Sequence, residues 1–142
     1  MSLMKRLPPT LKEFCQKQEL LRLAYVDGGH PRVVPVWFVA IGRDYYVGTY
    51  ANSPKWKAIK RAPRIGWVID GGEQNKYKGV SMFGEVEEVS DRRLRAKIYR
   101  ALGEKYYGSV EHPKHIEVWG EVDDPSSVYM RLKPEDGFWW EY

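Results

Sequence analysis

Short runs of β-branched and aromatic residues, separated by tight-turn sequences, make up much of the N-terminal part of the chain. Asp27-Gly28-Gly29 joins residues 20–26 to residues 33–41, and Gly42-Arg43-Asp44 then leads into residues 45–50. Turns this short connect strands that are neighbours in a sheet. The pattern therefore predicts antiparallel hairpins rather than a parallel sheet with helical crossovers.

The remaining apolar runs extend the sheet. Further strands are predicted at residues 64–70, 80–89, 115–120 and 127–133, with Gly84 as a bulge. The total of about seven short strands and about three helices indicates a mainly β protein, an antiparallel barrel with a few peripheral helices. Internal repeats and shifts in composition are absent from the sequence, so we expect a single domain over residues 1–142.

Three segments carry helix signals. Thr10 and Glu13 have the spacing of a capping box and predict a first helix. Ser53 before Pro54 favours a helix start, and Pro63 should end that helix about two turns later. A third, amphipathic helix is expected from Ser90 onward, because apolar residues fall on one face and basic residues on the others.

Composition and charge limit the classes of function. The chain has 142 residues, is 43% hydrophobic and carries a formal charge of +4, with basic residues concentrated at 55–64. This local excess suits a small anion but not a nucleic acid, which would need a broad basic face. Residues 1–9 lack the apolar core of a signal peptide and no run approaches the length of a membrane span, so we expect a cytoplasmic protein with no membrane partner.

The segment 49–60 combines a strand end, a turn and a helix N-terminus with several cations. Free backbone amides and the positive end of the helix dipole favour an anion there. Thr49 and Ser53 would add hydroxyl donors, and Lys55 and Lys57 would add charge. The alternative is that Ser53 only caps the helix and the lysines only solvate an exposed face.

Several other site types lack support in the sequence. There is no nucleophile elbow with histidine and acid partners, no P-loop and no Rossmann glycine motif. His112 and His115 have a spacing suited to a metal, but Pro113 lies between them and no third ligand is evident, so no metal site is expected. The 14% aromatic content could serve stacking on single-stranded nucleic acid, although core packing explains it more simply.

The strand at residues 33–38 is unusual because it contains Pro35 and Trp37. A central strand interrupted by proline would expose backbone groups to a planar heterocycle. This strand begins a series of short motifs: Arg32-Val33-Val34-Pro35-Val36-Trp37-Phe38, Tyr46-Val47-Gly48-Thr49, Ser53-Pro54-Lys55, Ala62-Pro63-Arg64-Ile65, and Gly79-Val80 with Gly84. In this order and spacing they resemble the pyridoxamine phosphate oxidase-like FMN-binding split-barrel family over residues 20–90, and more loosely in the C-terminal tail.

The resemblance implies a split β-barrel that binds FMN between the subunits of a homodimer. It implies that the flavin ring meets the backbone of the strand formed by Arg32, Val34, Pro35, Val36 and Trp37. It further implies that the ribityl and phosphate groups are held by Thr49, Ser53 and Lys55, with Lys57 and Arg32 helping to balance the phosphate charge. Trp139 and Trp140 of the tail are expected to reach the cofactor of the second chain.

The chain also departs from the oxidase pattern. Pro54 replaces a basic residue, Gly79 replaces a glutamine near the ring, and the basic residues that bind the substrate phosphate have no match. The resemblance therefore implies an FMN-dependent oxidoreductase acting on a nicotinamide nucleotide or another small molecule, with no side chain assigned as acid or base. The alternatives are a deazaflavin-dependent oxidoreductase, whose longer acidic tail would suit Lys57 and Lys60, and a non-catalytic barrel that binds flavin or nucleic acid.

Overall fold

The computed structural model describes residues 7–142, so most of the segment 1–9 lies outside the described residues. It contains eight strands and four helices. The strands are β1 (Leu21–Asp27), β2 (His30–Val36), β3 (Val39–Ile41), β4 (Asp44–Tyr50), β5 (Arg64–Gly71), β6 (Lys78–Glu88), β7 (Ser127–Leu132) and β8 (Asp136–Glu141). The helices are α1 (Pro9–Gln16), α2 (Pro54–Arg61), α3 (Arg92–Tyr107) and α4 (Pro113–Trp119).

All the strand pairs are antiparallel, in the order β2-β1-β5-β6-β7-β4-β3, and β8 pairs with β6 as well. Inward-facing side chains from β1, β2, β4, β5, β6 and β7 meet in one hydrophobic core, which α1 and α2 complete. The sheet thus curves around a common interior. The predicted mainly β, antiparallel fold with peripheral helices is confirmed.

The point at which the sheet divides lies at Gly84 in β6. Up to Phe83 the strand pairs with β8, and from Val86 it pairs with β7. On its other side the register with β5 continues unbroken, with Gly84 opposite Ile65. The predicted bulge is therefore wrong. Glycine is needed because a Cβ at position 84 would overlap the carbonyl oxygen of Lys133.

A second core lies outside the barrel, between β3, β4 and β7 on one side and α3 and α4 on the other. The apolar stripe of α3 fills it, as predicted, with Ile98 and Leu102 fully buried. The helix begins at Arg92 rather than Ser90, because the side chain of Asp91 caps it by accepting a hydrogen bond from the Leu94 amide at 2.9 Å.

Two predictions about local structure are wrong. Residues 115–120 belong to α4 and not to a strand, because Pro113 occupies the first turn, His112 caps it, and burial follows helical spacing at His115 and Trp119. The capping box at Thr10 is also wrong, since α1 begins at Pro9 without a side-chain cap.

The run 33–41 is not one central strand. It divides into β2 and β3, and β2 is an edge strand of the sheet order. Pro31 and Pro35 both lie on this edge strand, where the missing N–H group of proline is tolerated. None of the helices within residues 7–142 is both long and apolar enough to cross a membrane.

Candidate functional site

The N-terminus of α2 is built by two hydroxyl side chains. Ser53 accepts a hydrogen bond from the Trp56 amide at 3.1 Å and so caps the helix, with Pro54 in the first turn as predicted. The Thr49 hydroxyl, at the end of β4, lies 3.1 Å from the Ser53 hydroxyl. Thr49 is only 4% exposed. The two hydroxyl groups therefore form a fixed polar corner at the start of the helix.

Lys55 stands in the first turn of α2 and is half-buried. Burial lowers the pKa of its ammonium group, yet within the described part of the chain this side chain has no hydrogen-bond or ion-pair partner. The first turn contains no acidic residue, and Lys57 is exposed nearby. A half-buried cation at a helix N-terminus is a favourable place for an anion.

The backbone of the edge strand β2 pairs with β1 along one of its two sides. The strand pairs with β1 along its whole length, from Val36 opposite Leu21 to His30 opposite Asp27. Because β2 ends the sheet order, its other edge has no partner strand in residues 7–142. Arg32 and Pro35 are exposed, Val34 is half-buried and Val36 is buried. Arg32 lies 3.9 Å from the carboxylate of Asp27.

The two groups of predicted residues are linked through β1. The α2 helix packs against β1, and β1 pairs with β2. Thr49, Ser53, Lys55 and Lys57 share one corner of the fold, whereas the β2 residues line an open sheet edge. The first group thus lies where β4 leads into α2, the second lies on β2, and β1 connects α2 to β2.

The side chain of Trp37 packs against α3, a contact that the sequence did not predict. Its ring stacks on Tyr106 of α3, with centroids 4.2 Å apart and planes 5° from parallel. Tyr107 meets the same ring edge-on at 5.7 Å. The signal available in the sequence was the helical spacing of Tyr106 from Leu102, which continues the apolar stripe of α3 by one turn.

Trp139 and Trp140 point to opposite faces of β8. Trp139 packs against the barrel core of its own chain. Trp140 lies on the outer face with its ring 5.9 Å from that of Phe138, over the space left by Gly79. Glycine at position 79 is accounted for by its close neighbours, because a Cβ there would come within 2.5 Å of the Ile69 carbonyl oxygen and 2.8 Å of the Trp140 ring.

The outer face of β1, β2, β5, β6 and β8 is strongly apolar. Several of its large hydrophobic side chains are exposed, including Val33 at 67% and Phe138 at 53%, together with Val26 and Phe83. Ion pairs between Arg22 and Asp70 and between Arg64 and Glu135 lie at its margins. Exposed apolar patches of this kind mark interaction surfaces.

The histidines do not form a metal centre. His112 caps α4 by accepting a hydrogen bond from the Lys114 amide at 3.1 Å. His115 is fully buried against Tyr99, and burial lowers the pKa of its imidazole. Among residues 7–142 no three His, Cys, Asp or Glu side chains are grouped closely enough to hold a metal ion.

An antiparallel sheet whose sixth strand changes partners, with a capped helix at its rim, defines a split-barrel protein. The sequence model described as pyridoxamine 5'-phosphate oxidase matches residues 7–141, and the chain belongs to this family. No curated protein sequence matches the chain.

Solved structures share the fold at low sequence identity. The conserved hypothetical protein Rv2991 of Mycobacterium tuberculosis superposes with a TM-score of 0.81 at 20% identity, covering 95% of this chain and 85% of its own. A FAD-binding protein of Mesorhizobium loti gives 0.74 at 21% identity, covering 96% of each chain. The heme storage protein HutZ of Vibrio cholerae gives 0.72 at 22% identity, covering 99% of this chain and 95% of its own. The likeness confirms the split-barrel fold.

Proposed function

We propose that this protein is a flavin-dependent oxidoreductase that binds FMN, with the phosphate group at the N-terminus of α2. The observation that carries the proposal is Lys55, a half-buried ammonium group without an anionic partner in the described residues, one turn from the hydroxyl groups of Thr49 and Ser53. A phosphate would supply the missing negative charge and accept hydrogen bonds from the hydroxyls and the Lys55 amide. Lys57 would add a second cation at the rim.

The flavin ring would lie against the open edge of β2. Its free N–H and C=O groups can pair with the polar edge of an isoalloxazine, whereas the prolines prevent another strand from pairing fully with this edge. Family membership and the FAD-binding protein of Mesorhizobium loti among the similar structures support a flavin. When bound, FMN would supply the redox chemistry by accepting a hydride equivalent from a reduced nicotinamide or a small organic substrate.

The protein's own contribution is binding and electrostatics. Thr49 and Ser53 fix the ribityl-phosphate end, Lys55 neutralises it, and the backbone of Val34–Trp37 orients the ring. No side chain is assigned as acid or base, because hydride transfer requires none. Because these residues bind the cofactor and take no part in hydride transfer, substitutions of Thr49, Ser53 or Lys55 should change cofactor affinity more than the chemistry of the bound cofactor.

A second copy of the chain would cover the apolar outer face. The exposed side chains of Val26, Val33, Phe83 and Phe138 favour burial in a homodimer, and Trp140 lies on the same face beside Phe138. A dimer through this face would bring the partner's β8 close to the cofactor strand. Trp140 would then be the tail aromatic that reaches the partner's site, because Trp139 is engaged in its own core.

The test is FMN titration of the purified protein, followed by reduction with NADH or NADPH. Lys55→Ala should weaken FMN binding by roughly ten- to a hundredfold, because a charge-assisted hydrogen bond contributes about 1.5–3 kcal/mol. Arg61→Ala is the matched control, since it removes the same charge from the far end of α2. Equal FMN affinity in wild type and Lys55→Ala would show that the phosphate lies elsewhere. Flavin that binds but is never reduced would instead identify a non-catalytic flavin carrier.

A deazaflavin is the second candidate cofactor. The observation in its favour is that α2 carries further exposed cations, Lys57 and Lys60, beyond what a single phosphate requires. A longer acidic tail could engage both. Parallel titrations with FMN and a deazaflavin separate the two candidates, and Lys60→Ala should weaken only the deazaflavin complex.

A further inference from the structure

The break between β2 and β3 is held by side chains of α3. The Phe38 amide donates a hydrogen bond to the Tyr106 hydroxyl oxygen at 2.9 Å. The Phe38 carbonyl oxygen accepts from the Lys105 ammonium group at 3.0 Å and lies 3.1 Å from the Tyr106 hydroxyl. Both backbone groups of Phe38 are therefore satisfied by side chains, where a continuous strand would bond to a neighbouring strand.

The same two side chains also reach the segment that follows α1. The Lys105 ammonium group donates to the carbonyl oxygen of Gln16 at 3.0 Å, and the Tyr106 hydroxyl lies 2.8 Å from that of Glu19. The ammonium nitrogen sits 3.6 Å from the centroid of the Phe38 ring. Lys105 and Tyr106 thus tie two separate parts of the chain to the last turns of α3: the break at Phe38, and the end of α1 with the residues that follow it.

Trp37 lies between the end of β2, the strand proposed to bind flavin, and Phe38, the residue that Lys105 and Tyr106 hold. Its ring is stacked on Tyr106, so its position follows that of α3. Val36, the preceding residue, is the last residue of β2 paired with β1. At Trp37 and Phe38 the backbone is held by side chains of α3, and at Val39 the chain rejoins the sheet through β4.

We propose that Tyr106 and Lys105 are positioning residues that fix the Val36–Trp37 end of the flavin-binding strand and thereby tune the bound cofactor. The inference rests on the proposed function, since it concerns the same strand. Hydrogen bonds to a flavin ring set its electronic properties, and a backbone that shifts by a fraction of an ångström alters them. A role in packing alone would change stability but not the properties of the bound flavin.

Tyr106→Phe tests the role of the hydroxyl group while keeping the ring stacked on Trp37. Tyr107→Phe is the matched control, since Tyr107 also contacts Trp37 but makes no hydrogen bond to Phe38. Lys105→Met is the second variant, in case Tyr106→Phe folds poorly. The measurements are FMN affinity, the reduction potential of bound FMN, and hydrogen exchange of the Phe38 amide in the cofactor-free protein.

In Tyr106→Phe the Phe38 amide should exchange faster, FMN should bind about fivefold more weakly, and the potential should move by on the order of 20 mV, which is about 1 kcal/mol for a two-electron couple. Tyr107→Phe should match wild type in all three. Faster exchange with unchanged affinity and potential would overturn the inference and leave the proposed function intact. Wild-type protein that fails to bind FMN would refute the proposed function, and the inference with it, before any variant is compared.

Discussion

The hydroxyl groups of Thr49 and Ser53 lie 3.1 Å apart, one at the end of β4 and the other at the cap of α2. The three intervening residues form the turn that reverses the chain, with the Ser53 amide bonded to the Tyr50 carbonyl at 3.0 Å. Ser53 also accepts from the Trp56 amide, so its oxygen is held from two sides. The corner is therefore rigid before any ligand arrives.

Thr49→Val should weaken FMN binding by roughly fivefold, because one neutral hydrogen bond contributes about 1 kcal/mol and the shape of the side chain is kept. Thr49→Ser retains the hydroxyl and should bind FMN nearly as well as wild type. Quenching of flavin fluorescence on binding measures both. Wild-type affinity in Thr49→Val would remove this hydroxyl from the phosphate corner.

Phe138→Glu should dissociate the proposed homodimer, because it places a charge on the apolar outer face. Wild type is expected at twice the chain mass of 16.6 kDa and the variant at the chain mass itself, as measured by light scattering during gel filtration. Val122→Glu adds the same charge at an exposed hydrophobic residue away from the sheet and serves as control. A monomeric wild type, or a variant that stays dimeric, would contradict the assignment of this face.

Gly84→Ala should destabilise the fold by about 1–3 kcal/mol, since the added methyl group overlaps the Lys133 carbonyl oxygen where the sheet divides. In Gly66→Ala the new carbon would lie 3.5 Å from the Met82 carbonyl, an ordinary contact, so that variant should unfold close to wild type. Urea denaturation gives both free energies of unfolding. Similar losses in the two variants would show that the strand switch tolerates a side chain.

Stability should fall on acidification through His115. Burial lowers the pKa of this imidazole in the folded state below its usual 6.5, so the unfolded chain takes up the proton first as the pH drops. The stability it contributes is present above that value and is lost as the pH falls through the folded pKa. His115→Phe should therefore lose less free energy of unfolding between about pH 7 and about pH 5 than wild type.

The control for this experiment is His112→Asn, whose side-chain oxygen can replace His112 Nδ1 as the acceptor of the α4 cap. It should show the wild-type dependence of stability on pH, because it leaves the buried imidazole of His115 in place. Urea denaturation at several pH values gives the slopes for all three proteins. Parallel slopes for wild type and His115→Phe would rule out His115 as the titrating group.

Short sequence signals predicted the helices and turns best where they contain a residue type that has few possible structural roles. Ser53-Pro54 predicted the start of α2, Pro63 predicted its end, and Gly28-Gly29 predicted the first hairpin. Serine readily caps a helix, proline has a fixed φ, and glycine readily adopts a positive φ. The sequence of residues 115–119 was ambiguous, since a short apolar pattern suits a strand or a helix. Packing of His115 and Trp119 against α3 and β7 decided in favour of the helix.

The sequence by itself determined an antiparallel β fold with a capped helix carrying cations at its N-terminus, because turns, caps and charges act over a few residues. Only the tertiary structure decided that Pro35 lies at an edge, that Gly84 marks the exchange of strand partners, and that Lys105 and Tyr106 hold Phe38. The contact between Phe38 and Tyr106 spans 68 residues of chain. Such contacts depend on how whole elements pack, and no local pattern encodes them.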